Sequence, residues 1–179
     1  MPTPPTLSET PTGDLALPFT SLATLLSESA TFQAMCGVNS AALALPFIDY
    51  PLRDVASYDF PVPGAIISDD DSLSQHRKRT LEGHGQLLLQ LFDEVKDEYQ
   101  GDQSADPVVP IDWRNDDIAM RNRFGAILNE VRLSAGGRWG MTQWRKVGSP
   151  THLGPPDYQR LDPDAFRWIR YAAFIIDWV

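Results

Sequence analysis

The closing run of this chain, FRWIRYAAFIIDWV, limits the possible folds more than any other stretch. Terminal residues are commonly poorly ordered unless an element ties them down, yet Phe166, Trp168, Tyr171, Phe174, Ile175, Ile176 and Trp178 crowd this one. Trp168, Tyr171, Ile175 and Trp178 also fit a helical period, and the preceding DPDAF resembles a helix start. The richness in aromatic and β-branched residues favours a strand, because such side chains suit a pleated, half-buried surface. As a strand, Trp168, Ala172, Phe174, Ile176 and Trp178 share one face, and Ile169, Tyr171, Ala173, Ile175 and Val179 share the other. A strand apolar on both faces has to be covered on both. One cover is expected from a helix over residues 115–133. The other is expected from a second layer of the same domain or from a neighbouring subunit, and the pattern leans toward assembly.

The remaining elements follow from periodicity. FTSLATLLSESATFQAMCG sets Phe19, Leu22, Leu25, Leu26, Phe32, Met35 and Cys36 close to i, i+3, i+4 spacing, which predicts one helix or two short ones. Thr20 or Ser21 can cap its start, and Gly37 suits its stop. NSAALALPFIDYP offers a short helical piece and a strand over residues 47–50. A strand carrying Ala65, Ile66 and Ile67 is expected to begin after Pro63, because proline suits only the start or edge of a strand. EGHGQLLLQLFDEV suits an antiparallel partner, with Leu87, Leu89 and Leu91 on one side and Leu88, Gln90 and Phe92 on the other.

KDEYQGDQSADPVVPIDWRNDD reads as a long exposed acidic loop. The helix after it has an apolar stripe of Ile118, Phe124, Ile127, Leu128, Val131 and Leu133, a cap at Asn115 or Asp116, and an end at Gly136-Gly137. Arg121 and Arg123 fall mainly outside that stripe. RWGMTQWRKVG reads as a further strand, and SPTHLGPPDYQRLDPD as a turn-rich connection. The order helix, strand, strand, helix, strand, strand predicts an α+β fold: an antiparallel sheet of about four to five strands with helices packed against it. Residues 1–17 are expected to be a flexible Pro/Thr-rich arm, and 18–179 a single α+β domain.

Length and charge bound the function. With 179 residues and 20.0 kDa the chain can bury a sizeable core. A net charge of −9 and a sequence pI near 4.6 argue against diffuse binding of nucleic acid, which needs a basic face. The single cysteine, Cys36, excludes an internal disulfide. No run approaches the roughly 18 apolar residues that suggest a membrane span. MPTPPTLSETPTGD has neither a basic start nor an apolar stretch, so no secretory signal is expected and the cytosol, or a particle assembled there, is the expected place.

Chemistry-bearing patterns are sparse. His76, His84 and His152 lack metal-ligand spacing, although His76 and His84 could approach the acids of SDDD across a hairpin. That acidic run lacks the glycine and glutamate of a calcium loop. No phosphate-binding loop or nucleophile elbow occurs. Cys36, in an apolar stretch, reads as a small core residue rather than a nucleophile. Trp113, Trp139 and Trp144 read as core or rim. The dense basic patch His76, Arg77, Lys78, Arg79 is either a charged loop tip or a contact to an acidic partner. No enzyme, metal or cofactor is expected.

Several stretches resemble one family. SLATLLSESATFQAMCG, the pair PVPGAIISDD and GHGQLLLQLFDEV, the helix RNRFGAILNEVRLSA and the final FRWIRYAAFIIDWV are similar to the tail-terminator proteins of long-tailed phages, the minor tail protein U class, and their relatives in phage-like particles. The insert around residues 97–112 and the proline-rich 149–163 depart from the pattern. The resemblance implies a ring, usually of six subunits, that caps the tail tube, joins it to the head connector and is located in the virion neck. It implies that DNA passes an acidic lumen without specific binding, and that no membrane is involved. His76, Arg77, Lys78, Arg79, Asp102, Asp106 and Trp178 become candidate contact residues between subunits or to the tube. A head-completion or connector protein, and a small adaptor domain that binds protein through the apolar C-terminal face, are the alternatives.

Overall fold

The computed structural model describes residues 17–50, 63–69, 85–102, 104–135, 151–152, 157–162 and 167–178. Three helices open the described chain: α1, Leu17–Glu28, α2, Ala30–Met35, and the short α3, Ala41–Ala44. Of the two readings open for this stretch, two helices is the one observed, and Ser29 is the reason. Its backbone is extended, and its hydroxyl accepts from the Phe32 N–H at 3.0 Å, which ends one helix and caps the next. Gly37 stops α2 with φ 70°, while the Val38 N–H bonds back to the Gln33 carbonyl at 2.9 Å. A side chain at that left-handed position would be strained.

Strand β1, Ile48–Asp49, runs parallel to β2, Gly64–Asp69. β2 pairs antiparallel with β3, Gly85–Glu94, and β3 with β6, Arg167–Trp178. The far edge of β6 is shared by β4, Thr151–His152, and β5, Asp157–Asp162, both antiparallel to it. The sheet is therefore mixed and mostly antiparallel, and the α+β class holds. The terminal run is a strand, as its composition predicts. It is central as well, with β3 on one side and β4 and β5 on the other.

Two expectations are corrected along the chain. The segment read as turns carries β4 and β5, whose polar sequence lacks the apolar alternation that marks a half-buried strand. The long helix α4 spans Trp113–Ala135 and begins two residues before the expected cap. Asp112 is the residue that caps it: its carboxylate accepts from the Asn115 N–H at 3.1 Å and from the Asn115 amide at 2.7 Å. The strand expected over residues 138–148 lies outside the described residues.

The core forms where α1, α2 and α4 meet one face of the sheet. Ala65 and Ile67 of β2, Leu87, Leu89 and Leu91 of β3, and Ala172, Phe174 and Ile176 of β6 supply the sheet side. Register puts Leu87, Leu89 and Leu91 directly opposite Ile176, Phe174 and Ala172. The other face is also partly covered, since Ile66, Phe92 and Ile169 are buried within the chain itself. On it Phe92 stacks on Tyr171 across the β3–β6 pair, with ring centroids 5.8 Å apart. Leu88, Ala173 and Ile175 there are only half-buried.

The stripe of α4 needs correction at both ends. Ile118 and Leu133 are exposed, whereas Asp116, Met120 and Ala135 face inward. Two residues along a helix turn it by about 200°, so Ile118 and Leu133 lie nearly opposite the buried Asp116 and Val131, and a stripe drawn on apolar residues alone misses the inward Asp116.

Candidate functional site

Ionic chemistry in the described residues concentrates where α4 starts, over the end of the sheet. Arg170 of β6 shares the inward face with Ala172 and Phe174, and its side chain is 1% exposed. Its Nε pairs with the Asp116 carboxylate, and its Nη1 donates to the Asp116 backbone carbonyl at 2.8 Å. Its remaining terminal nitrogen lies 3.7 Å from the Asp117 carboxylate. Asp93, opposite Arg170 in the sheet, pairs with Arg123 of α4. Arg121 closes the series by donating to Asp117 at 2.7 Å. Three carboxylates thus face three guanidiniums, so the cluster is neutral when all are ionised.

Burial pushes the carboxyl of Asp116 up; the Arg170 charge opposes that shift, and Asp117 adds to it. Burial likewise lowers the pKa of both Arg170 and Arg123. These pairs lock the first turns of α4 to β3 and β6. Arg123, expected on a solvated face, is largely buried because Asp93 holds it.

A second polar clamp joins α4 to α2. Glu130 accepts from the Ser29 hydroxyl at 2.7 Å, the Thr31 N–H at 3.1 Å and the Thr31 hydroxyl. Desolvation raises its pKa, but these hydrogen bonds outweigh it and hold the carboxyl below its ordinary range. Cys36 is buried and its thiol is pushed up to about 12 by burial, so it packs as a core side chain.

The acidic loop is stitched into one shape. Asp102 and Val109 exchange backbone hydrogen bonds at 2.8 and 2.9 Å, and the Asp112 N–H bonds to the Tyr99 carbonyl at 2.9 Å. Gly101, at φ 70°, lies so close to the carbonyls of Val109 and Pro110 that a Cβ there would collide with backbone. Asp102 accepts from the Ser104 hydroxyl at 2.6 Å and N–H at 2.8 Å, which lowers its pKa. The loop so held presents Val108 and Val109, 54% and 49% exposed, and also carries the exposed acids Asp102 and Asp106.

A cavity of about 230 Å³ opens between α4 and β6. Met120, Phe124, Leu128, Ala172 and Phe174 are its buried walls; the exposed Arg121 and Gly125 mark its mouth. Arg114, Arg121 and Arg132 are all exposed and run along the same flank of α4. Spacings of seven and eleven residues return to one side of a helix with 3.6 residues per turn.

Of the residues expected to make contacts, Asp102 and Asp106 lie in the same loop, and both are exposed. Trp178 pairs through its backbone with Gly85 at the end of β6; its side chain, like His76, Arg77, Lys78 and Arg79, lies outside the described residues. The metal arrangement considered for His76 and His84 lies outside them too. Trp113 is 38% exposed, at the rim. Sequence reading missed Arg170, Asp116 and Glu130. The available signal was an arginine at an inward position of an apolar strand, with the adjacent acids Asp116 and Asp117 to receive it. Among the described residues no three His, Cys, Asp or Glu side chains gather as a metal site would need, and no helix is long and apolar enough to cross a membrane. Comparisons with known protein families, curated proteins and solved structures find no match.

Proposed function

We propose that this chain is a structural protein of a phage or phage-like particle, resembling a tail terminator. Copies assemble into a ring, hexameric by that resemblance, which caps the tail tube and joins it to the head connector. The observation that carries this reading is the exposed apolar surface of the loop tip and α4. Val108, Val109, Trp113 and Ile118 are exposed there beside ionised groups, a composition that suits contact with protein. The element order is compatible with it: helices first, paired strands, one long helix, then a final central strand. The net charge of −9 supports a lumen through which DNA slides without sticking.

Electron microscopy of the purified full chain should show rings with a central opening, and those rings should bind tail-tube ends. Single subunits at every concentration would sink the ring and favour the adaptor reading. Rings that bind the head connector but ignore the tube would place the protein on the head side, as a completion protein.

A further inference from the structure

We infer that subunits join head to tail, with the Val108–Val109 tip of one copy seated in the cavity between α4 and β6 of the next. The inference deepens the proposed ring and rests on it. Three features point to this contact. The tip is apolar, exposed and already fixed in shape by the Asp102–Val109 backbone pair, so little conformational freedom is lost when it docks. The cavity has buried apolar walls, and its 230 Å³ lies below the roughly 300–1,000 Å³ of small-molecule pockets, which suits one or two side chains better than a cofactor. The charges match as well: the loop of the tip carries the exposed Asp102 and Asp106, while the flank of the cavity carries the exposed Arg114 and Arg132, with Arg121, paired to Asp117, at the mouth.

Tip and cavity are different patches of the chain. Gly125 lies twelve residues along α4 from Trp113, about 18 Å at 1.5 Å per residue. A contact between two different patches of identical chains is either reciprocal, each copy receiving the other's tip in a two-fold pair, or heterologous. The proposed ring requires the heterologous form, which closes when the rotation allows and otherwise grows as a filament.

The test uses two variants of the full chain. Val108→Asp/Val109→Asp spoils the tip at exposed positions. Gly125→Leu blocks the cavity mouth, where a Cβ meets nothing within 4 Å and replacing a helical glycine favours the helix. Both variants should melt cooperatively, and each alone should have the mass of one subunit. Mixed in equal amounts they retain one good tip and one good cavity, so the mixture should give a dimer. If either variant keeps the wild-type ring mass, or the mixture stays monomeric, the contact is wrong although the ring reading stands. A wild-type chain that is monomeric throughout overturns both.

Discussion

Arg170 occupies a place where its neighbours on the same face, Ala172 and Phe174, are core residues, and α4 supplies partners for its charge. Removing one member of a buried pair strands the other, which typically costs about 3–5 kcal/mol, whereas replacing both can be neutral. Arg170→Met should therefore lower stability by about that much, and adding Asp116→Leu should restore a large part; denaturant melts of the two variants check it. Equal instability of the single and double variants would show that shape, not charge, is decisive. Glu130 offers a pH test. Its folded pKa is depressed, so its contribution is fully present above the unfolded carboxylate value and is lost as pH falls through the folded one. Glu130→Gln should flatten that part of the stability-against-pH curve, and Glu130→Ala should cost roughly 1–2 kcal/mol at neutral pH. Parallel curves for wild type and Glu130→Gln would contradict the assignment.

At the scale of elements, β6 is the member on which the sheet depends, since β3, β4 and β5 all pair with it. Deleting the chain from Phe174 onward removes the buried Phe174 and Ile176 and the pairing partners of Leu87, Leu88 and Leu89. Large buried side chains contribute about 1.5–3 kcal/mol each, against a total of about 5–15 kcal/mol for a domain. The truncated chain should be unfolded or insoluble by circular dichroism; a cooperative melt would remove β6 from the core. This strand was legible in the sequence because aromatic and β-branched residues fill both of its faces. β2 and β3 were legible from Ala65–Ile67 and the alternating leucines. β4 and β5 were not, because an edge strand built of THDYQRLD residues owes its shape to β6 rather than to its own pattern. The start of α4 is hard to read for a related reason: Asp112 caps it from within a run of acids where any one could serve. The site was less legible than the fold. Asp102 and Asp106 were picked out by charge alone, while the cavity needs α4 and β6 together and leaves no trace in either stretch.

For the whole molecule, the account joins a net charge of −9 to an acidic loop with exposed Asp102 and Asp106 and a helix flank with exposed Arg114, Arg121 and Arg132. Exposed charges more than a screening length apart cease to interact, and that length falls from about 10 Å at 0.1 M salt to about 3 Å at 1 M. Sodium chloride should therefore loosen the assembly without unfolding its subunits, and Asp102→Lys/Asp106→Lys should loosen it at low salt as well. Sedimentation velocity across a salt series reads both effects; an assembly indifferent to salt and to the two lysines would leave apolar burial as the whole of the contact. The central claim is that this chain works as a closed assembly of its own copies, and the mass of the intact particle tests it most directly. Native mass spectrometry of the full chain should find one dominant species at a whole-number multiple of 20.0 kDa, six by the family resemblance. A single species at 20.0 kDa across all concentrations would contradict it.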